Sequence, residues 1–117
     1  MVNLATSGAH FAHNAVFLDS YPGPPWIAGP AVVVVAWLGL AGTLLLGMRW
    51  HRRGRGWPAR IMIGIFGASC LLVFGHYAYG PPSDFDLLTN LLIVLEGAAG
   101  LLLIVYFAVL ELRPREP

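Results

Sequence analysis

Three long apolar runs, separated by short polar or proline-rich breaks, dominate the pattern along the chain. Residues 27–49 hold no ionisable side chain before Arg49, residues 59–79 carry Arg60 and His76, and residues 85–110 carry the acids Asp86 and Glu96. Each run is long enough, as a helix, to cross a hydrocarbon core of about 30 Å. The pattern predicts an all-α membrane protein with three transmembrane helices over about 27–49, 59–79 and 85–110, forming one domain over 1–117. Pro30 suits the first turn of the first span, where a missing N–H costs nothing. Ser83 followed three residues later by Asp86 has capping-box spacing, with Ser83 as N-cap of the third span. Small residues recur along the spans (Ala36, Gly39, Thr43 and Gly47; Gly64, Ala68 and Gly75; Gly97 and Gly100) and mark faces that admit another helix closely.

Residues 1–20 follow a different pattern. Leu4, Phe11, Ala15 and Leu18 fall on one helical face and Asn3, Ser7, His10 and Asn14 on the other, the signature of an amphipathic helix. The segment is too polar to span, so it is expected to lie at the outer membrane interface. Tyr21-Pro22-Gly23-Pro24-Pro25 ends it, because three prolines in four positions exclude a regular helix. Tyr21 and Trp26 suit an interfacial aromatic belt.

Composition agrees with this plan: 57% of the 117 residues are hydrophobic and 11% charged, with a mean hydropathy of +0.70, well outside the soluble range. The net charge of +1 says little, because the charges are segregated. Of seven basic residues, five (Arg49, Arg52, Arg53, Arg55 and Arg60) crowd the connector at 49–60; Arg113 and Arg115 lie near the C-terminus. A short connector of this charge should stay in the cytoplasm. Three spans then give a multi-pass protein of the cell membrane with its N-terminus outside and its C-terminus cytoplasmic. The connector's arginines are expected to face anionic inner-leaflet lipid; nucleic-acid binding is not expected of so short a membrane-bound loop.

That orientation gathers His10, His13, Asp19, His76, Asp84 and Asp86 on the outer side, above Glu96 near mid-bilayer. An ionised carboxylate at such depth costs at least about 2.5–3.5 kcal/mol, and intramembrane acids therefore face protein, water or a partner. Histidine is a common metal ligand and proton carrier, and His10 and His13 are three residues apart on one helical side. The expected site is an outward-facing His/Glu cluster of His10, His13, His76 and Glu96. Asn14, Asp19 and Ser69 would support it, and Zn, Cu or Fe is its candidate ion, because imidazole and carboxylate are offered without thiolates. Asp84 and Asp86 are explained by the helix N-terminus they precede. Cys70, the one cysteine, reads as a buried small apolar residue.

Two other functions fit the same residues. One is an accessory subunit of a larger membrane complex, or a homo-oligomer, packed through its glycine faces. The other is a small intramembrane enzyme with Glu96 and His76 as acid–base pair acting on a lipid-soluble substrate. The outside-in, three-span plan is similar to that of Ctr-type copper transporters. The similarity ends there: the MxxxM of their second span is absent, Met62 being the only methionine on that span, so copper transport is not implied.

Overall fold

The computed structural model describes residues 1–112. Four α-helices follow in order: α1 over Val2–Val16, α2 over Pro30–Arg52, α3 over Gly56–Leu71 and α4 over Leu87–Leu112. Three of them provide segments long and apolar enough to cross a membrane: Pro30–Arg52, Gly56–Ala78 and Leu87–Val109, each 23 residues. At 1.5 Å per residue, such a helix is about 34 Å long. The bundle is elongated, 54 × 26 × 21 Å. Its outer surface is rich in large apolar side chains, among them Val35 and Leu38 on α2, Ile65 on α3, and Leu95 and Leu102 on α4. Its interior holds Ser7, His10, Asn14, Thr89 and Glu96. Polar groups inside and hydrocarbon outside suit a bilayer solvent, in which a polar group meets a partner only within the protein.

The boundaries differ from expectation in two places. The second span is not one α-helix to residue 79: from Leu72 to Ala78 it tightens into a 3₁₀-helix. Runs of this type rarely exceed three or four residues and often mark functional or strained segments. At three residues per turn, His76 is rotated by about 100° from where a continuous α-helix would put it. The third span starts at Leu87 rather than 85, and Ser83 is not its cap. Ser83 lies within a short 3₁₀ turn, Pro82–Asp84, and Asp86 takes the capping role. The Thr89 backbone N–H donates to Asp86 Oδ1 at 2.9 Å, and its hydroxyl donates to Oδ2 at 2.7 Å. Proline at 81 and 82 holds Ser83 too far out to reach the first turn of α4.

The connector between α2 and α3 is short because Gly54 makes it so. Its φ of 73° is the left-handed conformation that closes a helix C-terminus. The Gly54 N–H donates to the His51 carbonyl and the Arg55 N–H to the Trp50 carbonyl, both at 3.0 Å. This is the paired bonding of a Schellman motif, which satisfies the last carbonyls of α2 and turns the chain back at once.

The largest departure is α1. It is not an interfacial helix: it lies lengthwise in the bundle, packed against α2 and α4. Its polar face points inward, with Ser7, His10 and Asn14 buried, while Val2, Val16 and Phe17 on the other side are exposed. Trp37 of α2 donates its indole N–H to the Ser7 hydroxyl at 3.2 Å, and Leu4 packs on the cluster of Leu44, Ile63, Phe66 and Cys70. Met1 lines a cavity with Arg49, Arg52 and Arg53. The start of the chain therefore lies at the connector end of the bundle, not at the opposite end as an interfacial helix there would require. The physical reason is polar satisfaction: the buried acid on α4 needs a partner, and the polar face of α1 supplies it.

Of the six glycines named along the spans, three (Gly47, Gly97 and Gly100) are used for packing within the chain. Gly100 meets backbone: a Cβ there would overlap the Cβ of Cys70 and sit 3.0 Å from the Gly67 carbonyl oxygen. The backbones of α3 and α4 touch at this level, one turn from Glu96. Gly39, Gly42 and Gly64, by contrast, have open space where a Cβ would project.

Candidate functional site: a buried imidazole–carboxylate pair beside an apolar cavity

Glu96 lies nine residues after Leu87, about 14 Å along α4 from its start, and is 2% exposed. Its Oε2 is hydrogen-bonded to Nδ1 of His10 on α1, which is also buried. This ion pair joins positions 86 residues apart in sequence. The Cys70 thiol faces the same carboxylate. Burying two such groups is tolerable because each answers the other; a lone carboxylate at this depth would carry its whole desolvation cost.

The His10 ring packs in a cluster with two others. Its centroid lies 5.1 Å from that of Tyr21 and 5.6 Å from that of His76, and the Tyr21 and His76 rings are 5.2 Å apart. His76 is turned by the 3₁₀ segment so that its Nδ1–H donates to the Pro22 carbonyl at 3.2 Å. It thereby ties α3 to the proline-rich strap that follows α1. His13 bonds through Nδ1 to the Tyr21 hydroxyl at 2.8 Å. Tyr21 is only 4% exposed, and burial pushes its phenol up to about 12. Thr89 connects this phenol to the Asp86 carboxylate, and its hydrogen bonds hold Asp86 below the usual carboxylate value.

A cavity of about 330 Å³ lies beside the pair, at the lower end of the range for small-molecule sites. Val32, Val33, Ala36 and Leu40 of α2 form one wall and Leu72, Val73 and Gly75 of the 3₁₀ segment the other; Trp26 and Ile27 close the far end. Val32, Trp26 and Leu72 are also exposed, so the cavity reaches the apolar outer surface of the bundle. His10, Asn14, His76, Ser69 and Glu96 bring polarity to this apolar lining. Two buried polar atoms among them, His10 Nε2 and Asn14 Oδ1, have no hydrogen-bond partner. An unpaired buried polar atom costs about 1–3 kcal/mol, and here two belong to residues that line one cavity.

The sequence-derived site is therefore partly assembled. His10, His76 and Glu96 come together; His13 does not join them, because the three-residue spacing turns it to Tyr21. Glu96 pairs with His10, not with His76 as an acid–base reading of spans two and three supposed. Asn14 borders the cavity directly. Ser69 also lines it, but its hydroxyl is spent on the Phe66 carbonyl at 2.7 Å. Asp19 is exposed in the 3₁₀ turn Leu18–Ser20 and borders no part of the cavity. Among the described residues no group of three or more His, Cys, Asp or Glu side chains is placed to hold a metal ion. The Nδ1 atoms of His10, His13 and His76 are each committed to another protein group. Tyr21 escaped sequence reasoning, since an aromatic before a proline-rich turn resembles an interfacial anchor and nothing local shows that it is buried.

No family model matches the chain, and comparisons with curated proteins and with solved structures find no match.

Proposed function

We propose that this chain is a membrane-embedded protein that binds a lipid-soluble molecule carrying a hydroxyl group in the cavity beside His10. The observation that carries the proposal is the pair of unpartnered buried atoms, His10 Nε2 and Asn14 Oδ1, on two residues that line an otherwise apolar cavity. With Glu96 as carboxylate accepting the proton on His10 Nδ1, the imidazole's other nitrogen carries a lone pair and is an acceptor. Asn14 Oδ1 is an acceptor as well. An acceptor asks for a donor: an O–H group on an apolar body gives its one proton to His10 Nε2, and the body meets the walls. Entry is from the bilayer, between α2 and the 3₁₀ segment.

The same geometry orients the ring. A carboxylate bonded to Nδ1 fixes the tautomer and aims Nε2. His10 is thus the hydrogen-bond acceptor, Glu96 its positioning partner, and a bound hydroxyl the donor. In the cell membrane the connector end faces the cytoplasm by the positive-inside rule, and His10 serves the half of the bilayer away from it.

A long-chain alcohol bearing a photoactivatable diazirine, with its methyl ether as control, tests this reading on the purified protein. The alcohol should label cavity residues and be displaced by unlabelled alcohol but not by the ether. His10→Ala should weaken it about tenfold, the value of one buried hydrogen bond. Equal labelling by alcohol and ether, unchanged in His10→Ala, would refute the proposal.

A second reading, an accessory subunit or homo-oligomer, is favoured by the open faces at Gly39, Gly42 and Gly64. Small residues left unpacked within the chain are where another transmembrane helix approaches closely. A monomeric native mass after mild solubilisation, with no cross-link through Gly42→Cys, counts against it.

A further inference from the structure

At the opposite end of the bundle from the proline-rich strap lies a second cavity, of about 320 Å³, lined by Met1, Leu45, Met48, Arg49, Arg52 and Arg53. Arg49, Arg52 and Arg53 stand at i, i+3 and i+4 around the last turn of α2, so that their side chains share one side of it. The Schellman turn at Gly54 ends the helix directly after them and sends Arg55 elsewhere. Four of the acids lie away from this charge: Asp19, Asp84 and Asp86 belong to the turns at the other end, and Glu96 is bonded to His10.

The other half of the lining is apolar. Leu45 is half-exposed on the lipid-facing side of α2, and Met1 is brought against it by the inward packing of α1. A site for a small soluble anion gains nothing from such a wall, whereas an amphipathic anion uses both halves. We infer that this cavity binds the phosphate of an anionic membrane phospholipid, with the guanidinium groups of Arg49, Arg52 and Arg53 on the phosphate oxygens. The first part of an acyl chain lies along Leu45, Met48 and Met1. Arginine suits this task because its planar fork meets phosphate with two parallel hydrogen bonds. Docking of α1 completes the apolar wall, so lipid binding and the seating of His10 on the same helix are coupled through one rigid element.

The test uses the full chain in detergent, titrated with phosphatidylglycerol, phosphatidylcholine and inorganic phosphate and read by native mass spectrometry. One phosphatidylglycerol per chain should bind, at least tenfold more tightly than phosphatidylcholine. Loss of two near-surface arginines in R49Q/R53Q should weaken it roughly thirtyfold. R55Q/R60Q, which removes the same charge outside the cavity lining, should bind within about twofold of wild type. R49K/R53K keeps the charge but not the fork and should fall between, which holds the test open if R49Q/R53Q fails to fold. Equal losses in R49Q/R53Q and R55Q/R60Q would mean diffuse attraction and overturn the site. Inorganic phosphate binding as tightly as the lipid, with the same dependence on Arg49 and Arg53, would overturn the lipid assignment.

Discussion

The pairing of His10 with Glu96 predicts a particular pattern of stability changes when each is replaced by an apolar residue of similar size. Both side chains are within 3% of complete burial, and the carboxylate has His10 as its hydrogen-bonding partner. His10→Leu leaves an acid in the interior without its partner, a change that costs about 3–5 kcal/mol in soluble proteins. Glu96→Met leaves a neutral imidazole with an unpaired N–H, worth about 1–3 kcal/mol. The double replacement removes both polar groups and should return stability to near the starting value. Summing the singles gives an upper bound, because an unfolded chain still inserted in the bilayer finds other partners and typical membrane hydrogen bonds couple by only about 0.6 kcal/mol. A coupling energy of about 2 kcal/mol or more is therefore the expectation. SDS-induced unfolding in bicelles measures it. Trp37, bonded to Ser7, supplies a fluorescence signal for the docking of α1 itself. Additive single mutants, or coupling no larger than an ordinary membrane hydrogen bond, would refute the claim that these two residues form one unit.

Three further outcomes follow from the packing and the network around Tyr21. Gly100→Ala forces a Cβ into Cys70 and against the Gly67 carbonyl and should destabilise by about 1–3 kcal/mol. Gly42→Ala, with open space around it, should stay within about 0.5 kcal/mol in the solubilised monomer; the same unfolding titration compares them, and equal effects would contradict the helix contact. Asp86 is held below its ordinary value of 3.8 by Thr89, so its contribution is present at neutral pH and is lost as pH falls below 3.8 through the depressed folded-state value. Asp86→Asn should lower the thermal midpoint at pH 7 and flatten its acid dependence, as thermal scans across pH would show. Tyr21, raised to about 12 by burial, should stay protonated in an ultraviolet titration well past pH 10. The stability it contributes is present below its unfolded value near 10 and declines as pH rises to about 12; ionisation near 10 in the folded protein, absent in Tyr21→Phe, would contradict its burial.

The spans, the connector and the importance of Glu96 were legible in the sequence because each is a local property. A run of apolar residues is long enough to cross a bilayer or it is not, and an acid within one must find a partner. The amphipathic pattern of residues 1–20 was equally legible, but its meaning was not. Periodicity says that Ser7, His10 and Asn14 share a face; it does not say whether that face meets water or a buried acid on a helix 86 positions away. In a soluble protein the apolar face turns inward, and in a bilayer that rule loses its force because lipid satisfies apolar side chains as well as a core does. The same limit applies to His76, whose direction depended on seven residues choosing 3₁₀ geometry, and to Asp86, which displaced Ser83 as cap once two prolines had set the approach.

The sequence by itself thus determined an all-helical chain with three membrane-length helices, a basic turn between the first two, and an acid that had to be paired. Tertiary structure decided which group pairs with it. Only the relative rotation and depth of α1 and α4 could bring His10 to Glu96 while leaving His10 Nε2 and Asn14 Oδ1 buried without partners, because helix rotation is set by long-range packing and polar satisfaction, not by local propensity.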